Sequence, residues 1–300
     1  MKKVIIIVFA FVSFGIQAQQ DAQYTQYMYN TVGINPAYAG NRGALSITGL
    51  HRSQWVGLDG APETQTLSVN TPFKDSRVGL GLSFSNDIIG PTEEQYLNID
   101  FSYTIPTSEE GRLSLGIKGV ANFLKFDHTK LTHVPDVNLQ SFSKFQPNFG
   151  VGAYYHSADK WYLGLSAPNI LETNHYDNSI SNLGKERMNY YLIGGYVFDL
   201  SSNIKLKPAV LFKYVTGAPL QADLSANIMF NEKFIIGGAY RWDAAFSGMA
   251  GFQMNKKLFL GYGYDMDSTE LSGFNSGSHE IILRFELFND KDKLISPRFF

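Results

Sequence analysis

From Leu97 to Phe123 the chain alternates with a period of two. Leu97, Ile99, Phe101, Tyr103 and Ile105 share one parity, and Asn98, Asp100, Ser102 and Thr104 share the other. After the polar break Thr107–Gly111, the apolar parity resumes as Leu113, Leu115, Ile117, Gly119, Ala121 and Phe123. It lies opposite Ser114, Gly116, Lys118 and Asn122. Successive side chains of a strand point to opposite faces, so this pattern demands extended strands. Each run is about ten residues or more, longer than the five or six usual in soluble sheets. An apolar face opposite a small or charged face over that length suits a membrane-spanning β-barrel. A soluble β-sandwich would alternate in the same way with shorter strands, so the decision rests on the rest of the chain.

The pattern recurs to the end of the sequence. Strands are expected at 44–55, 63–73, 77–87, 92–106, 111–127, 145–157, 161–171, 187–200, 204–215, 220–231, 233–243, 246–255, 258–266 and 276–288. That makes about fourteen strands in an all-β, transmembrane antiparallel barrel of outer-membrane type. Connections after even strands, such as Ser201-Ser202-Asn203, are short. The longest, 128–144, 172–186 and 267–275, follow odd strands. A barrel sorts its loops this way between its two mouths, and a sandwich has no reason to. Trp55, Trp161 and Trp242 fall at strand ends, where aromatic rings meet a membrane interface.

Composition agrees with a barrel. Charged residues are 17% and aromatic residues 14% of the 300, against about 25% charged in ordinary soluble domains. Mean hydropathy is only -0.13, as a polar lumen would give. A formal net charge of -2 argues against a nucleic-acid partner. Residues 1–18 read as a secretory signal: Lys2 and Lys3, the apolar run Val4–Phe14, then Ile16-Gln17-Ala18 before Gln19. Cysteine is absent, which removes disulfides, thiolate chemistry and lipid attachment at cysteine. Residues 19–43, with Tyr24, Tyr27 and Tyr29, read as an ordered periplasmic segment leading into a barrel of 44–288. Residues 289–300 form a periplasmic tail. Both termini of an even-stranded outer-membrane barrel are expected in the periplasm, with outer-membrane lipids around the wall.

No enzyme motif emerges, and no cofactor is expected. His51, His128, His133, His156, His175 and His279 lack metal-ligand spacing. Glycine pairs such as Gly79-x-Gly81, Gly150-x-Gly152 and Gly261-x-Gly263 lie within strands and open no helix, so they read as small inward residues rather than phosphate cradles. Charged residues of the inner parity, Arg52, Arg77, Asp87, Asp100, Lys118, Arg187, Asp199, Lys213, Asp223, Arg241, Asp265, Arg284 and Glu286, mix both signs. Fourteen strands spaced ~4.8 Å and tilted ~40° enclose a cylinder roughly 27 Å across, too wide for wall side chains to fill. Water, a loop, the N-terminal segment or a partner must occupy it.

The sequence resembles the PorP/SprF family of outer-membrane proteins associated with type IX secretion and gliding motility. The resemblance runs through Gln20-Asp21-Ala22-Gln23-Tyr24-Thr25-Gln26-Tyr27-Met28, Asn35-Pro36-Ala37-Tyr38-Ala39-Gly40, Arg52-Ser53-Gln54-Trp55, Gly60-Ala61-Pro62, the segments 66–73 and 79–87, Ser278-His279-Glu280-Ile281 and Ser296-Pro297-Arg298-Phe299-Phe300. It implies an outer-membrane accessory of the secretion machinery that anchors or assembles a secreted cell-surface protein, large adhesins included. A small-solute porin is the alternative. The partner-binding residues expected are His128, His133 and Phe142 on the first long loop, and Glu172, Tyr176 and Asp177 on the second. Tyr24, Tyr27, Asn35, Pro36 and Tyr38 of the N-terminal segment complete the set.

Overall fold

The computed structural model describes residues 24–73, 77–131, 140–157, 160–174 and 185–287. The signal expected over 1–18 and the tail expected over 289–300 lie outside the described residues. Strands follow one another as β1 (Leu45–Ser53), β2 (Glu63–Pro72), β3 (Val78–Ile89), β4 (Thr92–Pro106), β5 (Gly111–Phe126), β6 (Phe142–Ser157) and β7 (Trp161–Ala167). A two-residue ribbon, β8 (Thr173–Asn174) with β9 (Lys185–Glu186), stands apart from the wall. The wall continues with β10 (Asn189–Tyr196), β11 (Phe198–Ser201), β12 (Ile204–Val215), β13 (Gln221–Phe230) and β14 (Phe234–Arg241). It ends with β15 (Ala245–Gln253), β16 (Leu258–Asp267) and β17 (Ser278–Leu287).

Every neighbour is antiparallel, β1 pairs with β17, and β10 pairs with β12. The sheet is therefore closed. Because β11 prolongs β10 beyond Val197 and pairs with the same β12, the described wall has fourteen strands. Closure removes the exposed edges that would otherwise need partners. The fourteen expected strands all appear in place.

Most strand boundaries fall within two residues of those expected, and two differ by three or more. β6 begins at Phe142 rather than 145, because Phe142 stacks on Phe126 of β5 with centroids 5.4 Å apart and the register runs on. β7 stops at Ala167 rather than 171. Pro168 has no N–H to continue a ladder, and the Asn148 Oδ1 of β6 accepts from the amides of Ile170 and Leu171 at 3.0 and 2.8 Å. The chain is drawn across β6 instead of extending β7.

Alternation along each strand sorts the two faces. On β5, Leu115, Ile117 and Phe123 are exposed, while Ser114, Lys118 and Asn122 are buried. The same holds round the wall, so the outside is an apolar band, and the inside carries the buried polar and charged residues together with inward apolar ones such as Leu50, Tyr154 and Ile282. Aromatic pairs mark both margins. Tyr155–Trp161, Tyr196–Phe198 and Phe234–Phe252 lie toward one mouth, and Tyr190–Tyr214 and Tyr240–Phe246 toward the other. No helix among the described residues is long and apolar enough to cross a membrane; the strands are the crossing elements. One mouth carries the longest connections, 127–141, 168–188 and 268–277, beside short ones at 90–91 and 242–244. Those at the other, 73–77, 107–110, 158–160, 202–203, 231–233 and 254–257, are short. Both ends of the described wall, Leu45 and Leu287, open on the short-turn mouth.

Candidate functional site: an occupied lumen

Residues 24–43 do not lead up to the barrel from outside. They lie within it, a correction to the periplasmic placement expected from sequence. Three short helical turns, Tyr27–Tyr29, Thr31–Ile34 and Pro36–Tyr38, pack against inward side chains from all round the wall, among them Leu50, Tyr154, Ile193, Met229, Phe259 and Ile282. The physical reason is the unfilled cylinder. Apolar side chains of this segment gain burial there, which is worth about 1.5–3 kcal/mol each for a large side chain.

The segment descends from the long-loop half to the short-turn mouth, tied at each level. At the top, the Glu280 carboxylate accepts from the amides of Thr25 and Gln26 at 2.9 and 2.8 Å. Arg52 pairs with Asp265 at 2.7 Å and with Glu280 at 3.3 Å, and Thr25 Oγ1 donates to Asp265. The single guanidinium is thus the close counter-charge shared by two buried carboxylates. Midway, Lys118 bridges Asp100 at 3.0 Å and donates to the Val32 carbonyl at 3.3 Å. Ser166 donates to the Ile34 carbonyl at 2.7 Å. Near the bottom, Ser102 donates to the Ala39 carbonyl at 2.7 Å and Arg42 pairs with Glu286.

The Asn35–Gly40 stretch now has a physical reading. Asn35 donates from Nδ2 to the Ala153 carbonyl of β6, while its Oδ1 accepts from Ala37 N and caps the Pro36–Tyr38 turn. Pro36 presets the turn backbone. Tyr38 meets Tyr154 edge-on at 5.2 Å. Gly40 has φ +72, and a Cβ there would come within 3.0 Å of the Pro72 Cα. The strand glycines are the matching half of the fit. A Cβ on Gly79 would lie 2.7 Å from the Ala39 carbonyl carbon. One on Gly116 would lie 2.5 Å from the Ala37 Cα, and one on Gly261 would lie 2.6 Å from the Gln26 Oε1. They are inward and small, as the alternation implies, and what they make room for is the segment.

The expected partner contacts separate into two groups. Tyr27, Asn35, Pro36 and Tyr38 are buried in the lumen, and Tyr24 is half-buried with its hydroxyl 3.1 Å from Thr66 Oγ1. They face the wall of the lumen. His128, Phe142 and Glu172 lie at the long-loop mouth. His128 Nδ1 sits 2.7 Å from Ser141 Oγ, and Phe142 is a strand residue rather than a loop residue. His133, Tyr176 and Asp177 lie outside the described residues. Of the inner charges read from parity, Arg77 and Asp199 are exposed at the short-turn mouth. Glu280 and Lys207, which alternation alone did not single out, are among the most buried side chains. Both share parity with inward neighbours, Glu280 with Arg284 and Lys207 with Lys213, and that was the available signal. Among the described residues no cluster of His, Asp and Glu could hold a metal ion.

The sequence profile described as type IX secretion system membrane protein PorP/SprF matches residues 16–285. The chain belongs to the PorP/SprF family. Within this family assignment, solved structures give the fold a second anchor. The CymD monoaromatic hydrocarbon channel aligns over 92% of this chain and 96% of its own at 13% identity, with a TM-score of 0.51. The KdgM porin aligns over 81% of this chain and 99% of its own at 10% identity and TM-score 0.41. A Pseudomonas aeruginosa FadL homologue aligns over 81% and 88% at 10% identity and TM-score 0.42. At such identities only the likeness to CymD bears on the argument, and it speaks to the membrane-barrel fold alone. A search of curated proteins finds no match.

Proposed function

We propose that this barrel is a plugged accessory of type IX secretion, which anchors or assembles a secreted surface protein at its long-loop mouth. The observation that carries the reading is the occupied lumen of a PorP/SprF barrel. A route for solutes would have to pass the three turns of residues 27–38 and the ion pairs on either side of them. In this reading the long loops face outward, and the wall ends near Leu45 and Leu287 face the periplasm, as in outer-membrane barrels generally. His128, Phe142 and Glu172, with His133, Tyr176 and Asp177 on the same two loops, are the residues offered to the partner. The periplasmic face, including residues 289–300, is offered to secretion components.

Gentle detergent purification of the mature protein from its own envelope, followed by mass spectrometry, tests the reading. Co-purification of a large secreted surface protein or of periplasmic secretion components supports it, and recovery of the barrel alone counts against it. Shortening the 172–186 loop is expected to release the surface partner while the barrel stays folded. The second reading is a small-solute channel, the role that the structurally similar CymD monoaromatic hydrocarbon channel carries in its name. Bilayer conductance separates the two: stable open steps from the full-length mature chain favour a channel, and silence favours the plugged accessory.

A further inference from the structure

The outer face of the wall carries a depression that packing within the chain does not explain. Where β17, β1, β2 and β3 meet, Leu283, Gly49, Leu67 and Phe84 stand in one register row on the outward parity. Leu283, Leu67 and Phe84 are exposed, and a Cβ on Gly49 would meet nothing within 4 Å. The missing side chain leaves an open groove of about 410 Å³, with Ile281 on its margin. Glycine weakens a strand interior and often marks a close approach to its backbone. The inward glycines answer to the lumen segment, but Gly49 faces the other way. Gly119 and Gly248 are equally uncrowded, so what sets this place apart is its rim. One step toward the long-loop mouth the outward row turns polar, with His51, Gln65 and Asn86. Beyond it, Gln65 Nε2 donates to Glu63 at 3.0 Å. Ser53 Oγ lies 3.1 Å and Glu63 Oε1 3.9 Å from the nitrogens of the His51 ring.

An apolar groove in the outward band, with a polar rim at the margin of that band, matches the two halves of a lipid. Its face is continuous with the surface that meets the bilayer, and inside hydrocarbon it is close packing that selects what fills a hollow. The charge of the rim narrows the head group. Sites for anionic lipids gather Lys and Arg, and the outward parity of β17, β1, β2 and β3 carries neither among the described residues. The one carboxylate on that parity, Glu63, is half-exposed. In the lowered dielectric of the interface it favours a head group with a cationic end over one of net negative charge. We propose that the groove seats an acyl chain of an amine-headed phospholipid of the phosphatidylethanolamine class, with Gly49 as its floor and Glu63 as the contact for the ammonium. The site needs only the membrane barrel and is independent of the role in secretion.

The test uses the full mature chain in detergent, stripped of lipid, incubated with an equimolar mixture of phosphatidylethanolamine, phosphatidylglycerol and lipid A, and read by native mass spectrometry. A single retained phosphatidylethanolamine per barrel is expected. Gly49→Leu fills the groove with a side chain that the band accepts and should lose the retained lipid, while Gly119→Leu on the same outer face should keep it. Glu63→Gln should still retain lipid but lose the head-group preference, which in the parent chain is about two- to fivefold, the size of an exposed ion pair. Glu63 is the first residue of β2, so this variant reports even if Gly49→Leu folds poorly. No retained lipid in the parent chain overturns the proposal, as does retention that Gly49→Leu leaves unchanged or that Gly119→Leu abolishes equally. Equal retention of phosphatidylglycerol or lipid A by the parent, or an unaltered preference in Glu63→Gln, overturns it too. A dimer that Gly49→Leu disperses would make a second copy of the chain the occupant and overturn the lipid assignment.

Discussion

Two glycines three residues apart on β5 give the sharpest check on the occupied lumen. Gly116 faces inward, and a Cβ there would sit 2.5 Å from both the Ala37 Cα and the Pro36 carbonyl carbon. Those are backbone atoms of the lumen segment and cannot rotate aside. Gly119 faces the bilayer, and a Cβ there meets nothing within 4 Å. Overpacking a well-filled interior costs about 1–3 kcal/mol, so Gly116→Val should destabilise seating of the segment by that amount. A loss of about 3 kcal/mol raises the unseated fraction on the order of 100-fold. Gly119→Val should be neutral or more stable by about 0.5 kcal/mol, since valine restricts the unfolded chain and suits an extended strand. The assays are reversible unfolding in lipid vesicles and single-barrel conductance in planar bilayers. The expected result is a destabilised Gly116→Val with frequent open steps beside a silent, stable Gly119→Val. Equal stability and equal silence in the two variants would refute the placement of Pro36 and Ala37 against β5.

Three further outcomes are expected. Arg52→Met strands Asp265 and Glu280 in the interior and should cost about 3–5 kcal/mol, with part of the loss recovered by adding Asp265→Asn and Glu280→Gln; a loss under about 1 kcal/mol by denaturant titration would contradict the ion-pair assignment. Deleting residues 24–43 while keeping the signal should leave a wall that inserts but conducts steadily, and a silent deletion variant would mean that something else fills the lumen. At the long-loop mouth, the amide and hydroxyl of Thr129 donate to Asp127 and hold its carboxyl below the usual aspartate range. A lowered folded-state value means the cap on His128–Lys130 is present above the unfolded-state value and fades as pH falls through the folded one. NMR titration of Asp127 and of a Thr129→Val variant, whose titration should move back up, checks this.

The wall was legible because a closed membrane barrel writes its geometry as alternation. β4 and β5 could be placed to within a residue from Leu97–Phe123. β7 was over-extended because Ile170 and Leu171 are apolar like strand residues, and only the three-dimensional position of Asn148 shows that their amides are bonded sideways. The lumen segment was harder. Proline and glycine between 36 and 40 rightly spoke against a strand, but its burial depends on a cavity that the strands create only after they close. The clue was divided between distant places: Asn35–Gly40 at one end, and inward glycines at 79, 116, 152 and 261 elsewhere. Neither half has a meaning alone. Glu280 and Lys207 escaped notice for a similar reason, since parity marks a side chain as inward without saying what it meets there.

The threading of the lumen segment also constrains the order of assembly. Thr25 and Gln26 meet Glu280 across sequence separations of 255 and 254 residues. Contacts that distant form late, because a long loop must close before they can be rewarded. The segment joins β1 at the short-turn mouth and reaches Glu280 of β17 in the opposite half of the lumen, so its upper anchor exists only once β17 is in the wall. Zipping of the last strand to the first then completes the wall and supplies the carboxylate that grips the segment in the same step. An assembly intermediate lacking β17 would have neither a closed sheet nor a fixed occupant. Closure of the wall and anchoring of its occupant thereby draw on the same last strand.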